Sequence, residues 1–292
     1  MTIPVTVVTG RDGPGPGELA ARLLERFTPP RRVAVVSAAP APALNRAWVV
    51  IEAEEHAAYT EDDCACCAVR VDLVTILRHL GHRTQRPDHL ILTTTGYCDV
   101  AVIVTTLLAD HDLRRTYHLD GILAVVDGAG CGGPAPTAED RRRIAIADRV
   151  VHDIDLLSTT KLDELLHLGA FVPQQTIRRL SDPRFVHPAV IGSPDSWQTV
   201  RLSEPGVLDV DRLHDWLSSV QHDLGPDLLR FEAVLAIRDE DRQWIAHGAR
   251  TVTDIADGNP WPNQRRWSAI SLVGRGVDHD ELRHGFRDCT VE

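Results

Sequence analysis

Hydrophobic positions in the first half of the chain alternate between two rhythms. Short β-rich runs predict strands over residues 4–9, 32–37, 47–51, 89–93, 121–126 and 149–151. Between them, helical spacing predicts helices over 18–27, with Leu19, Leu23 and Leu24 on one side, and over 71–80, 99–110 and 138–147. The run Ile122-Leu123-Ala124-Val125-Val126 lacks polar alternation, which suits a parallel strand covered on both faces. Strands and helices in alternation predict a doubly wound α/β unit. Residues 128–136, rich in glycine and proline, read as a loop. The rhythm weakens over 181–205, where Pro183, Pro188, Pro194 and Pro205 interrupt it. The chain is therefore expected to divide into domains 1–185 and 186–292. Beyond the boundary, a helix over 210–221, strands over 231–237, 244–247 and 267–273, and a helix over 278–287 predict a small α+β unit. No internal repeat is visible.

Composition narrows the function classes. The 292 residues are 43% hydrophobic, enough for a real core. A formal charge of −11 argues against direct nucleic-acid binding, which needs a basic patch. Apolar runs such as 100–108 are far short of a bilayer span, and the strand-like Val5-Thr6-Val7-Val8 near the start does not read as a signal peptide. A partner in the membrane is not expected.

Half of the six cysteines fall within Cys64-Ala65-Cys66-Cys67. Thiolates this close suit a soft metal such as Zn²⁺ or Cu⁺, or thiol exchange in which one sulfur resolves a mixed disulfide, or else they are buried thiols gathered by coincidence. The metal reading uses Cys64, Cys66 and Cys67, with zinc the expected ion. Clustered thiols without a disulfide-like spread point to a reducing cytoplasm. Zinc usually takes four ligands, so a fourth must come from elsewhere or from water; the candidates are Glu55, His56, Asp62, Asp63 and Cys98. His79 and His82 read as solvated helix-end residues, Cys131 as a surface thiol and Cys289 as a packing residue. The tryptophans, notably Trp244, Trp261 and Trp267, read mainly as core. No nucleophile–base arrangement emerges, so no catalytic residue is assigned.

After the first strand comes Gly10-Arg11-Asp12-Gly13-Pro14-Gly15-Pro16-Gly17, leading into a helix. This is the place for a phosphate loop, in which glycine-rich backbone aims N–H groups at an anion. Gly10, Gly13 and Gly15 fit in part. Pro16 stands where the lysine should be and lacks an N–H, and Gly17 stands where Mg²⁺ needs a hydroxyl. Lys161, the only lysine, is far along the chain. Without lysine and hydroxyl, most of the electrostatic stabilisation of phosphoryl transfer is gone. The loop reads as a strand-to-helix turn that retains its glycines.

Taken together these residues resemble the CobW-type P-loop GTPases, a family of metal chaperones and metal-insertion proteins. Cys64-Ala65-Cys66-Cys67 running into Val69-Arg70-Val71-Asp72-Leu73 looks like the family's metal motif and helix. Thr94-Thr95-Gly96 followed by Asp99 looks like the turn after its Walker B strand, and Leu119 to Asp127 like the next core strand. Ile144-Ala145-Ile146-Ala147-Asp148-Arg149 is similar to the helix before the base-recognition strand. Leu272-Val273-Gly274-Arg275-Gly276-Val277-Asp278, with Leu282, resembles the close of its C-terminal domain. The resemblance implies a P-loop NTPase-like sheet, mostly parallel, followed by a CobW C-terminal-like α+β domain.

The departures from the pattern are as telling. The acidic Walker B position corresponds to Thr93. The guanine-reading Asn-Lys-x-Asp corresponds to His152-Asp153-Ile154-Asp155, keeping only Asp155. The acidic switch segment corresponds to Ala38-Ala39-Pro40-Ala41-Pro42-Ala43. With the phosphate loop, four nucleotide elements are lost while the cysteines remain. The resemblance thus implies a cytoplasmic zinc-binding pseudo-GTPase, acting as chaperone, buffer or sensor toward a protein client, with GTP turnover not expected. Relatives in zinc-starvation responses, some connected to ribosome hibernation, make a ribosome-associated partner the alternative. A residual GTPase is a further one.

Overall fold

A computed structural model describes residues 2–11, 13–37, 44, 47, 49–52, 65–94, 99–126, 137–185, 197–262 and 265–291. The chain forms two compact units, Met1–Ala170 and Phe171–Glu292.

The first unit runs β1 (Ile3–Gly10), α1 (Gly15–Leu24), β2 (Val33–Ser37), β3 (Val49–Glu52), α2 (Ala65–Gly81), β4 (His89–Thr93), α3 (Val100–Ala109), α4 (His111–Thr116), β5 (Tyr117–Val125), α5 (Ala138–Ile146), β6 (Arg149–Val151) and α6 (Thr159–Leu165). Its strands form one sheet in the order β3-β2-β4-β1-β5-β6, with every pairing parallel. The expected doubly wound parallel architecture is the one found. β1, β2 and β4 are buried almost throughout, which explains their unbroken apolar sequences. β5 begins ahead of the expected strand because the register shifts opposite Val5/Thr6, leaving Asp120 as an extra residue between Leu119 and Gly121. The Asp120 carboxylate is buried and accepts the Gly169 N–H at 3.1 Å; burial pushes its pKa up to about 6.

The second unit runs α7 (Pro173–Ser181), β7 (Gln198–Pro205), β8 (Val207–Leu208), α8 (Val210–Leu224), β9 (Leu228–Leu235), β10 (Arg242–Ala249), β11 (Val252–Pro260), β12 (Trp267–Gly274), α9 (His279–Asp288) and β13 (Thr290–Val291). Five strands make an antiparallel sheet in the order β11-β10-β9-β12-β7, and β13 pairs with β8 separately. Residues of α8 and α9, including Leu213, Val220, Leu282 and Phe286, share a core with Phe231, Ala233 and Ile270 on one face. On the other face Leu180 of α7 packs with Val234, Ile245 and Ala269, beside the edge-to-face pair Trp261–Trp267. The units part earlier than the expected boundary at residues 185/186, because α7 buries Thr176 and Leu180 against the second sheet. Among the described residues, no helix is long and apolar enough to cross a membrane.

Candidate metal and nucleotide site

β1 delivers the chain to Gly10 at the carboxyl end of the first sheet, between β4 and β5. In doubly wound sheets this edge is where loops meet ligands. α1 follows after Pro14, which provides no side-chain cap, and Pro16 occupies its first turn, where a fixed φ is tolerated and a missing N–H is not missed by the helix. Pro16 and Gly17 are buried. A Cβ on Gly10 would lie 2.9 Å from the Pro16 ring and 3.1 Å from the Val125 carbonyl oxygen, so the proline ring closes against the first glycine of the loop. Gly13 has φ +149°, a conformation that favours glycine.

The loop's basic residue is Arg11, and it is held inward. Its guanidinium donates through Nε (2.9 Å) and Nη2 (2.5 Å) to Asp140 on α5. Asp140 also accepts from the Thr137 N–H and hydroxyl, both at 2.8 Å, in a capping box, and from Arg143 at 3.2 Å. Burial works against the charged carboxylate, but the donors from Arg11 and Thr137 outweigh it and hold the pKa at about 2. This hub therefore adds stability above the ordinary carboxylate range that is lost as pH falls toward 2. Asp140→Asn is expected to lower the unfolding free energy of the first unit by roughly 2 kcal/mol at pH 7, with the difference from wild type shrinking between pH 4 and pH 2. Urea unfolding at a series of pH values measures both.

The other nucleotide elements are likewise occupied elsewhere. Thr93, at the end of β4, is buried, and its hydroxyl bonds to Ser37 on β2 at 2.7 Å. Asp99 caps α3 through the Ala101 N–H and pairs with Arg142 at 3.0 Å. After β6, Asp153 accepts from the Asp155 and Leu156 N–H groups in a local turn. Asp155 itself is fully solvent-exposed at 101%, 3.8 Å from Arg22. Lys161 lies on α6, paired with Glu164 at 2.8 Å. The fold thus brings Gly10, Gly13 and Gly15 into one loop, but supplies no ammonium or metal-binding carboxylate among the described residues beside it. Arg11 and Asp140 carry the local electrostatics, and sequence reasoning passed over both. The available signal was a lone basic residue inside a glycine–proline loop, with Thr137-x-x-Asp140 at a helix start.

α2 begins earlier than the expected helix, so Cys66 and Cys67 lie in its first turn. It connects β3 to β4, parallel neighbours of β2, so its first turn lies at the carboxyl edge, with the Gly10–Gly15 loop. Cys64, Glu55, His56, Asp62, Asp63, Cys98 and Cys131 lie outside the described residues. Among the described residues, no group of three or more His, Cys, Asp and Glu is arranged to hold a metal. Cys289 is buried, donates to the Gly285 carbonyl at 3.2 Å, and has its pKa pushed by burial up to about 11, so it is a packing thiol.

Residues 4–180 match the model of the CobW/HypB/UreG nucleotide-binding domain, and residues 197–290 that of the cobalamin synthesis protein CobW C-terminal domain. The zinc chaperone YjiA of Escherichia coli is 22% identical over 258 residues, covering 76% of this chain and 79% of that protein. The zinc chaperone CobW of a Sinorhizobium species is 30% identical over 134 residues, 44% of this chain and 37% of that one. The zinc-regulated GTPase metalloprotein activator 1 of Schizosaccharomyces pombe is 26% identical over 185 residues, 61% and 44% of the two chains. The zinc-bound crystal structure of the Escherichia coli YjiA GTPase superposes with a TM-score of 0.68 at 18% identity, covering 100% of both chains.

Proposed function

Because the chain belongs to the CobW/HypB/UreG family, with that family's nucleotide-binding domain followed by a CobW C-terminal domain, we propose that it handles zinc without a GTP cycle. Three thiols in four residues, Cys64, Cys66 and Cys67, carry this reading: they are the soft ligands a zinc site needs, two of them in the first turn of α2. The relatives named as zinc chaperones support the choice of metal. Zinc is the cargo, and an incomplete protein shell that leaves a ligand position open suits its transfer to a client or its sensing better than a permanent structural role. The client is a protein, met in the cytoplasm.

The pseudo-GTPase part rests on the occupied phosphate loop. Pro16 stands against Gly10, Arg11 is bound to Asp140, and Thr93 is bonded to Ser37. Phosphoryl transfer depends almost wholly on positioned charge, and these residues offer none of it to a γ-phosphate. A competitive zinc titration of the reduced protein tests both parts. One tight site is expected, unchanged by GTP and weakened at least a hundredfold when Cys64, Cys66 and Cys67 are replaced together by serine. No tight site would overturn the zinc reading, while GTP hydrolysis above the background without protein, or a zinc affinity that follows GTP, would overturn the pseudo-GTPase reading.

A further inference from the structure

The helical cover on the second unit's sheet is incomplete. Toward β10 and β11 a groove of about 440 Å³ opens between α8 and the strands. Leu213 and Leu217 of α8 form one wall, and Leu235, Trp244, Ala246 and Ile255 the other. Of the large hydrophobic residues exposed among those described, two meet here: Ile255 at 51% and Val210 at 42%. Exposed apolar side chains scattered singly need no account, but two facing one concave apolar groove mark a contact surface. Gln221 closes one end by donating to the Arg250 carbonyl and the Thr253 hydroxyl.

A second feature adjoins the groove. β11 is the last strand of the sheet, so its outer backbone edge has no partner strand among the described residues. Ile255 pairs with Ala246 and Asp257 with Trp244, which places Ile255 and Asp257 on the groove face, two residues apart. Asp257 is exposed, as are Asp211 and Asp215 on the solvent side of α8. The groove is thus apolar at its floor, with the Asp257 carboxylate beside it on the open strand.

We propose that this edge and groove bind an extended, basic segment of another protein. The segment adds to β11 as a further strand and sets an apolar side chain beside Ile255 and Trp244. Because same-face residues of a strand recur every second position, a Lys or Arg two residues from that apolar anchor comes opposite Asp257. Backbone pairing supplies affinity, the apolar anchor and the flanking base supply selectivity, and the net charge of −11 steers the encounter. A second copy of this chain is a poor occupant, since it would bring the Asp257 carboxylates of two molecules of net charge −11 to one strand edge. Every residue involved belongs to the second unit, so the proposal stands apart from the metal and nucleotide questions.

The test uses the whole chain and a set of fluorescein-labelled decapeptides alternating threonine with groove-face residues, a central Val, Ile or Leu flanked two positions away by Lys or Arg. A matched set carries Glu in place of the basic residues. By fluorescence anisotropy, the basic set is expected to bind saturably and the Glu set at least tenfold more weakly. Ile255→Ser, a change at an exposed position, is expected to weaken the basic peptides at least tenfold, and Asp257→Lys to reverse the preference. The absence of saturable binding to any basic peptide, binding indifferent to Ile255→Ser, or a solution dimer abolished by Ile255→Ser would each overturn the proposal.

Discussion

Glu232→Ala is expected to cost the second unit about 4 kcal/mol of unfolding free energy. Glu232 lies on the face of β9 covered by α7, almost wholly buried. Its Oε2 accepts from Arg179 at 2.5 Å and from the Thr176 hydroxyl at 3.4 Å. Arg230, two residues along the same face and equally buried, sits over the Phe171 ring at 5.0 Å. Arg179 is therefore paired with a carboxylate in a region with little water, and a second buried guanidinium, Arg230, lies on the same face of the sheet. Removing the acid leaves uncompensated positive charge inside, which costs far more than the net worth of the pair. Glu232→Gln keeps a hydrogen-bond acceptor and is expected to lose less. Five of the six tryptophans, Trp197, Trp216, Trp244, Trp261 and Trp267, belong to the second unit, so urea unfolding followed by tryptophan fluorescence reports on it directly. A loss below about 1 kcal/mol, the range of an exposed pair, would show that the cluster does not depend on this acid.

Acidification from pH 7 to pH 4 is expected to cost the second unit roughly 3 kcal/mol through one buried histidine. His247 shares the Glu232 cluster: its Nε2 lies 2.7 Å from the Thr176 hydroxyl and its ring stacks on Phe171 at 4.9 Å. Burial, and then the charges of Arg179 and Arg230, hold its pKa down at about 3. In the first unit His89 pairs with the Thr6 hydroxyl at 2.9 Å, and burial followed by charge on His167, His118 and Arg31 also holds it at about 3. In both cases the folded chain takes the neutral ring and the unfolded chain protonates near pH 6.5. Stability is thus full above pH 6.5 and falls as pH drops toward 3. His247→Gln removes the titrating ring and is expected to flatten this part of the curve for the second unit. Proton NMR of the imidazoles decides the matter, for a His247 signal that titrates near pH 6.5 would contradict the structure.

Legibility followed burial on both faces. β1, β2, β4 and the apolar end of β5 were visible because a strand covered on both sides has no polar alternation to hide it. β11 escaped because it is an edge strand carrying Asp254, Asp257 and Gly258, with every position but Gly258 half-buried or exposed. β7 escaped for a similar reason, ending at Pro205 within a segment punctuated by prolines. α7 gave little sign of which unit owned it, since its allegiance rests on Thr176 and Leu180, a hydroxyl and one leucine. At the candidate site, the loss of lysine and hydroxyl could be read residue by residue. The capture of Arg11 by Asp140 could not, because a pair separated by that much chain leaves no periodicity.

The place of β1 in the sheet has a consequence for biosynthesis. β1 lies between β4 and β5, with Val5 opposite Leu90 on one side and Gly10 opposite Val125 on the other. At elongation rates of about 10 residues per second, roughly ten seconds separate the making of β1 from the making of the strand that closes its second edge. During that interval a nearly all-apolar strand waits with an open ladder. Such a nascent chain is prone to premature association, and it is then that a holding chaperone would matter most to the yield of folded protein.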